Sequence, residues 1–133
     1  MILSACIRSK HGKVYTGKDH ISAQSAAQEA EGISFGETRK FTHGFLSDKP
    51  SYRTSFGKTF HGHFRANMGA YLEADECRQL LPGTNPKETI SMGGIKYGVL
   101  DSDQIRFTPE QLARARQIAD SVNRKIDKKE NHC

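Results

Sequence analysis

In the stretch TFHGHFRAN, residues 59–67, Phe60 and Phe64 hold even positions while His61, His63 and Arg65 hold odd ones. Side chains alternate between the two faces of an extended strand, so the three basic groups would share one side. Two histidines spaced this way can share a metal ion, but a closed zinc site wants four ligands. Neither Cys6 nor Cys77 has a paired neighbour at short spacing, and no metal is expected. Nucleophilic catalysis has no visible centre either, because no Ser, His or Cys stands in a nucleophile elbow or protease signature. There is no GxxxxGK phosphate loop, and Gly93, Gly94 and Gly98 do not make GxGxxG, which disfavours nucleotide hydrolysis. The expectation is a protein that is not an enzyme and needs no cofactor. The histidines and Arg65 read as the hydrophilic side of a sheet, with Arg65 placed to meet a phosphate.

What remains is a set of cationic and aromatic residues: Lys18 and His20 after a first hairpin, Phe45, Arg65, Tyr71, Tyr97 and Arg106. Arginine offers planar, charge-assisted bonds to phosphate, and a Phe or Tyr ring offers a surface on which a base stacks. The set suits a nucleotide-like ligand, with Arg65 and Arg106 for phosphate, Phe45, Tyr71 or Tyr97 for stacking, and His20 for a polar contact. Each residue also has a plainer reading, as core if aromatic and as solvated surface if cationic. Twenty Lys plus Arg against fifteen Asp plus Glu leave a net charge of +5, which favours anionic partners without choosing among them. Nucleic acid is the first rival partner. An enzyme degrading the same small ligand, with a histidine at 20, 61 or 63 as acid or base, is the second.

The elements that must position these groups follow from local pattern. ILSACIR (2–8) and KVYTG (13–17) are strand-forming runs joined by the turn signal SKHG, which predicts a β-hairpin. Ala23, Ala26, Ala27 and Ala30 share one helical face ahead of Gly32, so the spacing predicts a short helix over about 20–31. From 33 to 66 the chain is rich in Phe, Tyr, Thr and Gly with turn signals at SFGE, SDKP and SFGK, which predicts two hairpins. Within them, Phe60 and Phe64 would line the packed face. Ala74, Cys77 and Leu81 ahead of Pro82-Gly83 predict a second short helix over about 73–81. TISMGGIKYGVL reads as a hairpin or a bulge around Gly93-Gly94. Thr108-Pro109-Glu110-Gln111 is a capping box with a first-turn proline. Leu112, Ala115, Ala119, Val122 and Ile126 then recur as a narrow apolar seam, which either docks on the chain's own sheet or forms a subunit interface.

Together these give an α+β fold: an antiparallel sheet of hairpins with two short helices and a longer C-terminal helix. At 133 residues one domain is expected, over 1–127, followed by a charged, frayed tail over 128–133. A hydrophobic content of 35% promises a lean core, so a homo-oligomer is expected to complete it. Three cysteines without a CxxC pair suit a reducing cytoplasm. Seven residues before the first charge are too few for a signal-peptide core or a membrane span.

Four segments share their order with a known group of small phage proteins. ILSACIRSKHGKVYTGKDH resembles that group's opening strand, its GKVYTG run and its basic residue close to a histidine. GFLSD (44–48), GAYLEADEC (69–77) and LDSDQI (100–105) resemble its GFLTS, GRFVDREEA and LxSEDL segments. The group is the phage-encoded Thoeris anti-defence sponges of the first type. This resemblance implies a non-enzymatic oligomer that sequesters cyclic nucleotide immune signals, of the glycocyclic ADP-ribose type or cyclic oligonucleotides, in the cytoplasm of the infected host. Ala70 and Ala74 stand where the group's pattern has arginines, and Asp19 stands where an arginine would precede His20. Ligand contacts made by those arginines would pass here to other cations, such as Arg65 or Lys18. The stretch 49–68 reads as an insertion.

Overall fold

The structure, a computed structural model, describes residues 1–50, 62–66, 76, 79, 88–92, 95–99 and 105–130. Strand β1 (Ile2–Arg8) and strand β2 (Val14–Gly17) form the expected antiparallel hairpin. Its turn is closed by bonds from the Ser9 N–H to the Lys13 carbonyl (2.8 Å) and from the Gly12 N–H to the Ser9 carbonyl (3.0 Å). Helix α1 (His20–Glu31) follows, capped by Asp19 and ended by Gly32 in the left-handed region at φ 65°. Strand β3 (Thr42–Ser47) returns beside β1, and strand β4 (Phe64–Ala66) pairs with β3, giving an antiparallel sheet in the order β2-β1-β3-β4. Strands β5 (Glu88–Met92) and β6 (Ile95–Val99) form a separate two-stranded antiparallel ladder whose innermost pair is Met92 with Ile95. Helix α3 (Pro109–Glu130) is the long C-terminal helix. The fold is α+β as expected.

Between α1 and β3 the chain departs from the all-strand expectation. Phe35–Thr38 makes a single helical turn, α2, because the Ser34 hydroxyl accepts the Glu37 N–H at 3.3 Å. SFGE is therefore an N-terminal capping sequence, Ser followed three residues on by Glu, and not a strand-to-strand turn. Of the helix expected over 73–81, Glu76 and Gln79 are helical and the rest lies outside the described residues. Tyr71, Phe60 and His61 lie outside them as well.

Both faces of the four-stranded sheet are covered, which explains why β1 is apolar along nearly its whole length. On one face Leu3, Cys6, Val14, Leu46 and Phe64 pack against Ala115 and Ala119 of α3, with Ile118 and Val122 beside them. On the other, Ile7 and Tyr15 meet Ala23 and Ala27 of α1. The seam of α3 is thus used within the chain. Its start is the anticipated capping box: the Thr108 N–H donates to Gln111 Oε1 at 2.7 Å, and the Gln111 N–H to Thr108 Oγ1 at 3.2 Å. Further along, the Asn123 amide binds the Val14 N–H and carbonyl, each at 2.8 Å. A Lys13–Asp127 ion pair (2.5 Å) ties down the last turns, and the helix continues to Glu130 where a frayed tail was expected.

The expectation that Arg65 lies on a wet face needs correcting. Phe64 does sit in the core beneath α3, as the alternation required, but the opposite side is not solvated at this point and Arg65 is only 1% exposed. Although β4 is the last strand in the described order, Arg65 is covered by Glu76 and by the main chain at Gly62 and Lys49. Among the described residues no helix is long and apolar enough to cross a membrane.

Candidate functional site

The N-terminal turn of α1 meets β3 at a cluster of rings. Asp19 has extended backbone and its Oδ1 accepts the Ser22 N–H at 2.7 Å, so the helix begins at His20. Partial burial pushes the Asp19 carboxyl up. The backbone and side-chain bonds from Ser22, and then the positive charges of Lys18 and His20, outweigh this and hold its pKa below the ordinary 3.8. The cap is therefore ionised at neutral pH and fixes the first residues of α1 against the sheet. Gly17 allows this close approach, since a Cβ there would lie 2.8 Å from the Ala23 nitrogen.

His20 points at β3. Its Nε2 lies 2.6 Å from the Gly44 carbonyl, and its ring stands 5.2 Å from that of His43, edge to face at 76°, and 5.4 Å from that of Phe45. His43 and Phe45 are two apart on β3 and so share a face. The strand register extends that row: Phe45 is opposite Ala5 on one side and Arg65 on the other, and Ala5 is opposite Gly17. Small residues at 5 and 17 let the start of α1 close on the sheet, and Phe45 lies beside His20 at its first turn. Gly44 is needed for β3 and β4 to meet, because a Cβ there would fall 2.1 Å from the Arg65 carbonyl oxygen.

His20, Phe45 and Arg65 are thus brought to one face of the sheet, but with differing access. His20 and His43 are half-buried and Lys18 is exposed two residues before His20. Phe45 is fully buried and forms the floor beneath His20, so its ring is not offered for stacking. Arg65 is consumed internally: Nε donates to Glu76 Oε1 at 2.8 Å, Nη2 to the Lys49 carbonyl at 2.6 Å, and Nη1 to the Gly62 carbonyl. Each guanidinium nitrogen has a protein partner, and the group clamps the start of β4 to the end of β3 and to the segment carrying Glu76. Arg106 is exposed two residues before the cap of α3, the helix on the opposite face, and does not join the cluster. Tyr97 belongs to the β5–β6 ladder, opposite Ile90.

His43 is the residue that residue-by-residue reading missed. Its signal was available in THGF, where the strand period places it on the face of Phe45. Glu76 had no such signal, because its pairing with Arg65 is a tertiary contact. Two other groups are inert by environment: burial pushes the Cys6 thiol up, and burial together with the bond to Glu31 pushes up the Tyr15 hydroxyl. Among the described residues no group of three or more His, Cys, Asp or Glu side chains could hold a metal ion. His63 instead bonds the Ser47 carbonyl through Nδ1 at 3.0 Å. No protein-family model, no curated protein and no solved structure matches the chain.

Proposed function

We propose that the protein binds a small cyclic nucleotide signal and sequesters it intact, with the cluster of Lys18, His20 and His43 over Phe45 as part of the binding surface. The observation that carries this reading is the 2.6 Å contact between His20 and the Gly44 carbonyl. It joins two of the segments that resemble the sponge family, GKVYTGKDH and GFLSD, which lie more than twenty residues apart in the chain. Where those segments meet, the exposed Lys18 ammonium supplies a point charge for a phosphate oxygen, and the two imidazoles supply hydrogen-bonding edges. Holding a nucleotide without breaking it calls for positioned donors and acceptors on a rigid base and for no general base or metal. Phe45, Ala5 and the Arg65–Glu76 pair provide that base.

The test is recovery. Purified protein is incubated with a panel of cyclic dinucleotides and cyclic ADP-ribose isomers, separated from free ligand, denatured, and the released material identified by mass spectrometry. Release of an unaltered nucleotide is the expected result. A converted product would make the protein an enzyme, and no retention across the panel would end the proposal. Nucleic acid as the true partner would appear instead as duplex or single-strand binding that falls steeply with added salt, since a long phosphate backbone releases many counterions.

A further inference from the structure

We infer that His43 is a specificity-determining residue of this site that presents a hydrogen-bond acceptor, and so reads a hydroxyl or amino group of the nucleoside, leaving the phosphate to Lys18. The inference rests on the nucleotide-binding reading above, but its geometric basis is separate. His43 Nδ1 lies 3.1 Å from the Phe41 carbonyl. A carbonyl oxygen only accepts, so the ring nitrogen facing it carries the proton. A neutral imidazole has one N–H, and Nε2 of His43 is therefore left with its lone pair. Among the described residues no hydrogen-bond partner meets that Nε2, and His43 is half-buried, not sealed.

His20 is pinned in the opposite sense. Its Nε2 faces the Gly44 carbonyl at 2.6 Å and must donate. The two rings, 5.2 Å apart and nearly perpendicular, thus turn different nitrogens, Nε2 of His20 and Nδ1 of His43, to main-chain carbonyls only three residues apart on and beside β3. The Gly44 carbonyl belongs to the paired strand β3 and the Phe41 carbonyl directly precedes it, where the Phe41 N–H bonds the Thr38 carbonyl at 3.1 Å, so both acceptors are set by the fold and do not await a ligand. The diester and bridging phosphate oxygens of a cyclic nucleotide carry no proton at neutral pH and are repelled by the Nε2 lone pair of His43. A ribose hydroxyl or an exocyclic amine can donate to it.

Two-dimensional proton–nitrogen correlation spectra of the full chain at pH 8 test the tautomer, with His43 assigned by its loss in His43→Phe. The expected pattern is that of a protonated Nδ1 and bare Nε2; an Nε2-protonated or averaged pattern overturns the assignment. Calorimetric titration tests the role, with adenosine and inorganic pyrophosphate as probes. His43→Phe should weaken adenosine about tenfold, the loss of one hydrogen bond with its partner left unmet, and leave pyrophosphate unchanged. His43→Gln, whose amide oxygen reaches the Nε2 position, should recover part of the loss. Weakened pyrophosphate with unchanged adenosine overturns the proposal. If the unmodified protein binds neither probe, the nucleotide reading fails with it; a wrong tautomer with adenosine binding intact removes His43 alone.

Discussion

Arg65 shows how far a single side chain's role depends on what surrounds it. Its charge is matched by Glu76 at 2.8 Å with both groups about 1% exposed, so neither partner can be removed without leaving a buried, uncompensated charge. Arg65→Met should cost about 3–5 kcal/mol in chemical denaturation, while Arg65→Met with Glu76→Leu should recover most of it. Equal losses in the single and double variants would show that the pair is not a closed unit. Asp19 is a smaller case with a definite pH signature. Asp19→Ala should cost about 1 kcal/mol by loss of the cap, and Asp19→Asn much less. Because the folded carboxyl titrates below its ordinary 3.8, its stabilisation is fully present above that value and is lost as pH falls through the lower, folded one. Acid unfolding of the Asp19→Asn variant should accordingly lack that component. In the sequence Asp19 stood out only as a departure from an arginine, and Arg65 as a phosphate contact; the structure makes one a helix cap and buries the other. The difference is that a cap is satisfied within three residues, whereas the burial of Arg65 depends on Glu76 eleven positions away.

At the scale of elements, the two helices are attached to the sheet by different means. Helix α1 uses an alanine face, with Gly17 allowing the backbones to close. Helix α3 uses a wider apolar seam, together with the Asn123 amide bonded to both main-chain groups of Val14 on the edge strand β2. That amide satisfies an edge that would otherwise be open to another strand. Asn123→Ala should destabilise the protein by about 1–2 kcal/mol and raise hydrogen exchange at the Val14 amide. An unchanged exchange rate there would show that α3 is held by its apolar seam alone. The capping box at 108–111, the Gly32 terminus and the first hairpin were all legible, since each is encoded within a few consecutive residues. The α2 turn was misread because SFGE carries both a turn and a cap signal, and only the Glu37 N–H bonding to Ser34 decides between them.

For the whole molecule, the layered arrangement sets where function can lie. With α3 on one face and α1 on the other, the accessible part of the cluster is its rim, Lys18 and the edges of His20 and His43. Lys18→Glu should therefore weaken binding of a phosphate-bearing ligand by about tenfold or more, with an effect that shrinks as salt rises, while melting temperature stays near that of the parent. Self-association is part of the proposed sponge, and light scattering should report a mass above that of one chain. Since the α3 seam is already spent within the chain, Ala115→Asp should unfold the subunit and not merely separate subunits. By itself the sequence determined the α+β class, the order of most elements and the pairing of the first hairpin, because hydrophobic period, caps and turn residues act over a few positions. Tertiary structure alone decided that Arg65 is a buried clamp and that His20 meets His43 and Phe45. Those outcomes depend on which distant segments pack against one another, and a strand's alternation names two faces without saying which of them water will reach.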